Sequence, residues 1–350
     1  MEKNISNKDL KSAKKNKKDE FYTQLTDIEK ELGHYKEHFK DKIVFLNCDD
    51  PKESNFWKYF ELNFKYLGLK KLISTHFGNG RPAYKLEKNN GEIIKTKLKQ
   101  NGDFRSPECI EILKEADIVV TNPPFSLFRE YIKQLIEYNK KFVIIGSINA
   151  LSYKDIFKLV KENKVWLGHS IHSGDREFKV PEDYPLNASG YRIDNNGVKY
   201  IRVKGVRWFT NLDYKERHED LILYKKYLPE EYPKYENYDA INVDVTKQIP
   251  VDYKGLIGVP ITFIDKYNPD QFEIIALGIV GSIDFTSNRK MEILDKKTGK
   301  PTGRFTNNAK GTLYRLYNPK KDKSPAFQDF ENGKLYTSIY ARIIIRNKKL

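Results

Sequence analysis

At 350 residues, 39% of them hydrophobic and 32% charged, the chain has room for one large domain or two ordinary ones and is too apolar for intrinsic disorder. No uninterrupted apolar run is long enough to span a bilayer, and the N-terminal MEKNISNKDLKSAKKNKKDE lacks the apolar core of a signal peptide, so a cytoplasmic location is expected. Lys and Arg number 63 against 48 Asp and Glu, a surplus of +15 that suits either a polyanionic partner or a well-solvated surface.

Residues 1–18 are lysine-rich with little apolar content and read as a basic disordered arm, for touching phosphates or for solubility. Ile28, Leu32 and Tyr35 recur at helical spacing and predict a helix over 26–39. KIVFLNC (42–48), ended by Asp49-Asp50-Pro51, reads as a buried parallel strand. Ser54 is placed to cap a helix carrying Phe56, Trp57, Phe60, Phe64 and Leu67, closed near Gly68. A strand over 71–77 follows, then a hairpin over 82–98 turning at Asn90-Gly91. Pro107 opens a helix, and residues 117–121 form a strand. A helix over 127–138, a strand over 142–146, a helix over 153–162 and a strand over 165–168 continue the alternation.

Such alternation with short connections predicts an α/β fold, an open doubly wound sheet that binds ligands at the carboxyl ends of its strands. After about residue 170 short β-like runs take over: GVKYIRVKGVRWFTNL, LIGVPITFI, FEIIALGIVG and KLYTSIYARIIIRN. A β-rich C-terminal extension is therefore expected, with loops rich in Lys, Asn, Asp, Pro and Tyr.

The most informative tetrapeptide is Asn122-Pro123-Pro124-Phe125, directly after the apolar run ADIVVT. With proline near 5% of residues, a chance match to this pattern is on the order of one per cent in a chain of this length. Its mechanics suit transfer of a group to an exocyclic amine, whose lone pair is delocalised into a ring. Two acceptors aimed at the amine hydrogens, the Asn122 side-chain oxygen and the Pro123 carbonyl, pull the nitrogen toward sp³ and free that pair. The prolines stiffen the turn, so the acceptors are preorganised. Phe125 offers a flat face to a base. The alternative is a rigid strand-to-helix turn with a packed Phe.

This arrangement resembles the signature of the amino-methyltransferases, and the likeness extends further. Glu20-Phe21-Tyr22-Thr23 resembles their N-terminal motif, which contacts the methionine part of the cofactor. VFLNCDDPKESNF (44–56), containing Cys48, Asp49 and Asp50, is similar to the first cofactor motif of the EcoRI-type adenine-specific DNA methyltransferases, with acidic residues in place of a glycine-rich turn. Gly102-Asp103-Phe104 resembles the acidic motif beside the cofactor's adenine, and WFTNL (208–212) and ITFIDKYNPDQFEI (261–274) also resemble that family.

The resemblance implies a Rossmann-like methyltransferase domain over 19–212 and target recognition over 213–350. It also implies methyl transfer from S-adenosylmethionine to the N6 of a flipped adenine in duplex DNA, with a restriction endonuclease as potential partner. Catalysis would rest on Asn122, Pro123, Pro124 and Phe125. Cofactor contacts would come from Tyr22, Thr23, Cys48, Asp49 or Asp50, Asp103, Phe104 and Asn122. Asp49 or Asp50 is read as a partner for ribose hydroxyls in preference to a helix-start acid, and Asp103 suits a ligand or a turn equally.

No membrane or metal partner is expected. His169 and His172 form a pair without an apparent third ligand, and Cys48 and Cys109 have no metal-ligand spacing. Glu92, Lys95 and Lys97 read as a solvated strand face. An RNA or protein amine, or an inactive DNA-binding protein on the same fold, are the competing readings.

Overall fold

The computed structural model describes residues 22–350 except 49, 79–81, 90, 181, 183, 185–189, 286–288 and 308–310. The basic arm, Glu20, Phe21 and Asp49 lie outside the described residues. The chain divides into two compact units, residues 1–150 with 164–216, and residues 151–163 with 217–350.

In the first unit, α1 (Leu25–Leu32) buries Ile28 and Leu32, one turn apart. It is shorter than its periodicity predicts. At Gly33, a poor helix former, the chain tightens into a 3-10 turn through His38 that keeps Tyr35 buried. β1 (Ile43–Leu46) is buried along its whole length, as its uninterrupted apolar run requires. The Ser54 hydroxyl accepts from the Phe56 amide at 3.1 Å and caps α2 (Asn55–Leu62). Turns lead on to Gly68 at φ +63, and β2 (Lys71–His76) follows. β3 (Tyr84–Asn89) and β4 (Glu92–Lys97) form the expected hairpin, passing through Gly91 at φ +104, and every residue of β4 is exposed.

α3 (Pro107–Glu115) is capped by the Ser106 hydroxyl and leads into β5 (Ile118–Thr121). A 3-10 turn over Phe125–Leu127 precedes α4 (Phe128–Glu137), which returns to β6 (Lys141–Ser147). β7 (Trp166–Leu167), β8 (Asp175–Lys179), β9 (Tyr191–Ile193), β10 (Lys199–Lys204) and β11 (Val206–Thr210) complete the unit.

Eight strands form one sheet in the order β4-β3-β2-β1-β5-β6-β11-β7. β2, β1, β5 and β6 are parallel, with Phe45 opposite both Ile73 and Val119 and Thr121 opposite Ile144. The outer strands are antiparallel, so the sheet is mixed. β7 does not sit beside β6 as chain order suggests, because β11 intervenes. β8, β10 and β9 form a separate small antiparallel sheet. Val44, Leu46, Val120, Val143 and Ile145 share one continuous core with Phe56, Phe60 and Trp208. Burying a side chain of this size stabilises by about 1.5–3 kcal/mol, so this layer carries the unit.

The second unit contains α5 (Lys154–Lys161), whose buried Ile156, Phe157 and Val160 make an amphipathic face. It was expected to pack within the first sheet and groups instead with the C-terminal strands, since periodicity reveals a buried face but not its partner. β12 (Ile241–Asn242), β13 (Ile257–Pro260) and β14 (Phe272–Leu277) join a sheet in which the C-terminal strand lies centrally. The second half of LIGVPITFI is not strand: Ile261–Lys266 is a 3-10 turn, entered directly after Pro260.

β15 (Lys290–Leu294), β16 (Pro301–Asn307), β17 (Leu313–Leu316), β18 (Phe327–Asp329) and β19 (Leu335–Ile339) form an antiparallel sheet. Much of it falls in a stretch that reads as loop-rich, because β16, PTGRFTN, has no buried face to generate an alternating pattern. β20 (Arg342–Asn347) pairs with β13 and β14, with a bulge between Ile274 and Ala276.

Gly146 in β6 allows α4 to sit down on the sheet: a Cβ there would lie 2.3 Å from the Phe128 ring. Phe128 begins the helix that follows the Asn-Pro-Pro-Phe turn. Gly146→Ala should therefore destabilise by about 1–3 kcal/mol through overpacking, read as a lower urea midpoint with an unchanged slope. An unchanged midpoint would mean that the ring moves aside freely.

Candidate active site

The parallel register of β1 and β5 brings two strand ends side by side. Asn47 and Cys48 leave β1 where Asn122 leaves β5. Asn122 is 6% exposed and Pro123 is buried, while Pro124 and Phe125 are half-buried. Pro124 is extended at φ −54 and ψ 123, and its carbonyl accepts from the Leu127 amide at 2.9 Å. The turn is thus held by proline on one side and by a 3-10 bond on the other. Phe125 packs along the edge of the core and keeps part of its ring accessible.

On the β1 side, Tyr22 is tied by a backbone bridge to Lys179, and the Thr23 carbonyl accepts from Asn55 Nδ2 at 2.7 Å. This anchors the N-terminal motif to the start of α2. Thr23 Oγ1 and Asn47 Nδ2 are buried with no hydrogen-bond partner among the described residues. Asn47 Oδ1 accepts from the Tyr131 hydroxyl, whose ring meets Phe104 edge-on at 5.0 Å, and the Cys48 thiol lies 3.6 Å from the same oxygen. Asn47, Phe104 and Tyr131 therefore converge at the end of β1. Asn47 was only part of a quoted motif, and Tyr131 carried no signal of its own beyond a place on an amphipathic helix.

Asp50 is engaged from several sides. The Tyr84 hydroxyl donates to it at 2.8 Å, His76 Nδ1 lies 3.3 Å away, and the Lys52 amide closes a turn on it. Burial, reinforced by the Asp50 carboxylate, pushes the Tyr84 phenol well above its ordinary range. Asp103 receives a two-pronged contact from Arg105, at 2.9 and 2.7 Å, and accepts the Arg105 amide. That pairing raises the Arg105 guanidinium further above its ordinary range. Before it, Gly102 at φ +76 passes so near the His76 carbonyl that a Cβ would lie 2.3 Å from its oxygen. The Gly102-Asp103-Phe104 segment is thereby pressed against the end of β2.

Other marked residues serve the framework. Thr210 Oγ1 donates to the Phe142 carbonyl at 2.7 Å. Asn211 accepts from the Phe142 amide at 2.8 Å and donates to the Lys140 carbonyl at 2.9 Å. WFTNL thus zips β11 onto β6. In the second unit, Asn268 donates to the His218 carbonyl and Gln271 holds both backbone groups of Leu221. Lys95, exposed on β4, sits 4.1 Å from the centre of the Tyr84 ring. The expected histidine pair is regrouped: His169 meets His172 edge-on at 5.5 Å, but its closer neighbour is His34, at 4.4 Å between ring centres. Among the described residues, no helix is long and apolar enough to cross a membrane.

A mixed α/β sheet with an Asn-Pro-Pro-aromatic turn at the carboxyl end of a central parallel strand is the layout of an amino-methyltransferase. The family described as adenine-specific methyltransferase EcoRI matches residues 9–348. The chain belongs to this family and is an adenine-specific methyltransferase. It is 52% identical over 295 residues to the Type II methyltransferase M.EcoRI of Escherichia coli, covering 79% of this chain and 90% of that one. It is 44% identical to M.MgeORF184P of Mycoplasma genitalium (75% of this chain, 84% of that one) and 42% identical to M.MpnI of Mycoplasma pneumoniae (75% and 83%), both Type II methyltransferases.

Asn211→Ala should lower stability by about 1–3 kcal/mol, because it strips a partly buried amide of its acceptor. Methyl transfer per folded molecule should stay at the wild-type level. Loss of transfer without loss of thermal stability would instead place Asn211 in the active site.

Proposed function

We propose that the protein transfers the methyl group of S-adenosylmethionine to the N6 amino group of adenine within a specific duplex DNA sequence, with the target base turned out of the helix. The observation that carries this reading is the Asn122-Pro123-Pro124-Phe125 turn, its first two residues buried, at the end of β5 beside the end of β1. In this reading Asn122 Oδ1 and the Pro123 carbonyl accept the two amine hydrogens, and Phe125 stacks on the base. A stacked, paired adenine cannot present its amine to strand ends, so extrusion is required.

Residues at the end of β1 fit the cofactor. Thr23 Oγ1 and Asn47 Nδ2 are buried polar atoms needing partners, and Phe104 supplies an apolar wall. Bound S-adenosylmethionine supplies an electrophilic methyl on a sulfonium centre. Tyr22, Thr23 and Cys48 would line its methionine side and Asp103 with Phe104 its adenine side. Asp49 or Asp50 would take the ribose hydroxyls, although Asp50 already serves Tyr84. The four parallel strands with intervening helices support a doubly wound, Rossmann-like catalytic domain over 19–212.

We assign sequence reading to 213–350, the β-rich extension. In its exposed surface Lys290 lies 4.8 and 4.7 Å from the ring centres of Phe305 and Phe330, a basic and aromatic pairing suited to nucleic acid. The net charge of +15 supports a phosphate-bearing partner. The Type II naming of the relatives supports a cognate restriction endonuclease acting on the same site.

Asn122→Ala should slow single-turnover methyl transfer by on the order of 10²–10³ while leaving DNA and cofactor affinities nearly unchanged, because a transition-state acceptor is lost. Asn122→Asp keeps an acceptor oxygen and should retain more activity than alanine. Wild-type rates in Asn122→Ala would remove Asn122 from the chemistry. Transfer to RNA but not to duplex DNA would reassign the substrate.

Phe125→Ala should cost about ten- to a hundredfold, the worth of one base–aromatic stack at roughly 1–3 kcal/mol. A 2-aminopurine at the target position should brighten on wild-type binding. A dark probe in a verified complex would count against extrusion.

A further inference from the structure

The first unit holds a second cluster of chemistry-bearing side chains, separate from the Asn-Pro-Pro-Phe turn. His34, His169 and Glu216 each offer one donor atom, and these atoms lie within 4.8 Å of one another. His34 Nδ1 and Glu216 Oε1 are 3.1 Å apart, and the two imidazole rings lie 4.4 Å apart between centres. Two donors each about 2.0–2.2 Å from one tetrahedral ion are themselves separated by roughly 3.3–3.5 Å. All three side chains are half-buried, so a small torsional change suffices to bring the third donor in.

The framework around the cluster is rigid. The carboxylate of Glu31, fully buried in α1, accepts the His169 amide at 3.0 Å, the Ser170 amide at 2.7 Å and the Tyr35 hydroxyl at 2.7 Å. It therefore fixes the backbone that carries His169 to the helix that leads into His34. Gly168 permits this approach, since a Cβ there would lie 2.0 Å from Glu31 Oε1. The segment leading into Glu216, which sits in a 3-10 turn, is pinned as well. Trp166 Nε1 donates to the Leu212 carbonyl at 3.2 Å, the His38 ring lies 2.9 Å from the Asp213 carbonyl, and the Tyr214 hydroxyl donates to the Leu167 carbonyl at 2.9 Å. Three ligands from three separate stretches of chain are thus held by bonds that do not involve the ligands' own side chains.

We propose that His34, His169 and Glu216 form a binding site for one divalent transition-metal ion of the zinc class, completed by water. Two imidazole nitrogens and one carboxylate oxygen are a borderline-soft donor set suited to Zn²⁺, Co²⁺ or Ni²⁺ and poor for Mg²⁺. The ion takes the place of the hydrogen bond between His34 and Glu216. It clips the segment after β11 and the segment after β7 to the 3-10 turn after α1. Its role is structural, because methyl transfer to an amine draws on the acceptors at β5 and needs no Lewis acid.

The test is titration of the full-length protein, freed of metal with chelator and dialysed, with Zn²⁺ by calorimetry and with Co²⁺ by visible absorption. One equivalent should bind, with ligand-field bands for Co²⁺ and a higher unfolding temperature. His34→Ala, His169→Ala and Glu216→Gln should each weaken binding by at least about tenfold, while His172→Ala should bind as wild type. Each variant's fold is checked by circular dichroism, and the wild-type titration decides even where a variant misfolds. Absence of a one-to-one isotherm, or unchanged affinity in both His34→Ala and Glu216→Gln, overturns the site. Loss of binding in His172→Ala with retention in His34→Ala would assign the ion to the adjacent histidine pair and equally overturn it.

Discussion

The parallel pairing of β1 with β5 is the constraint on which the site depends. With Phe45 opposite Val119, both strands run out at the same edge of the sheet. Both are buried along their length, so neither can slip without exposing a run of apolar side chains. The consequence is positional. Asn47 and Cys48 follow one strand, Asn122 and the two prolines follow the other, and residues some 75 positions apart in the chain face a common space. The helices reinforce this placement: α4 brings Tyr131 over Asn47, and α2 holds Thr23 through Asn55.

Holding polar atoms in such a place opposes stability. A buried donor or acceptor without a partner costs about 1–3 kcal/mol. Thr23 Oγ1, Asn47 Nδ2 and Thr121 Oγ1 all stand in that condition around the ends of β1 and β5. A fold tolerates such groups where a ligand will satisfy them, and the surrounding core offsets the loss. Other buried polar groups in the same unit are well served. Glu31 meets two amides and a hydroxyl, and Thr210 and Asn211 close the ladder between β6 and β11. WFTNL also resembles the family, yet its Thr210 and Asn211 side chains are spent on the sheet.

The carboxylates near the strand ends show how local pairing reshapes a motif-based expectation. Asp50 and Asp103 are both suitable as ribose or adenine partners by type and position. In the fold each already answers other groups, Asp50 to Tyr84 and His76, Asp103 to Arg105. A carboxylate has several lone pairs, so these bonds orient it and leave acceptor capacity for a ligand. The bonds of Asp50 also tie the loop after β1 to the end of β2 and to the hairpin.

Local signals sufficed for much of this protein. The apolar runs at 43–46 and 118–121, the Ser54 and Ser106 caps, the turn through Gly91 and the prolines after Asn122 all follow from short-range sterics and hydrogen bonding. They were legible because each depends on a few adjacent residues. The Asn-Pro-Pro-Phe turn was legible for the same reason. What sequence could not settle were partners chosen across the chain. β11 slots between β6 and β7, α5 groups with the C-terminal strands, and β16 pairs without an apolar face of its own. His169 finds His34 and Glu216 rather than the nearby His172 as its closest company. Periodicity reports that a face will be buried, and motif spacing reports which atoms are near along the chain. Only tertiary packing decides which distant surface covers that face and which distant side chain completes a cluster.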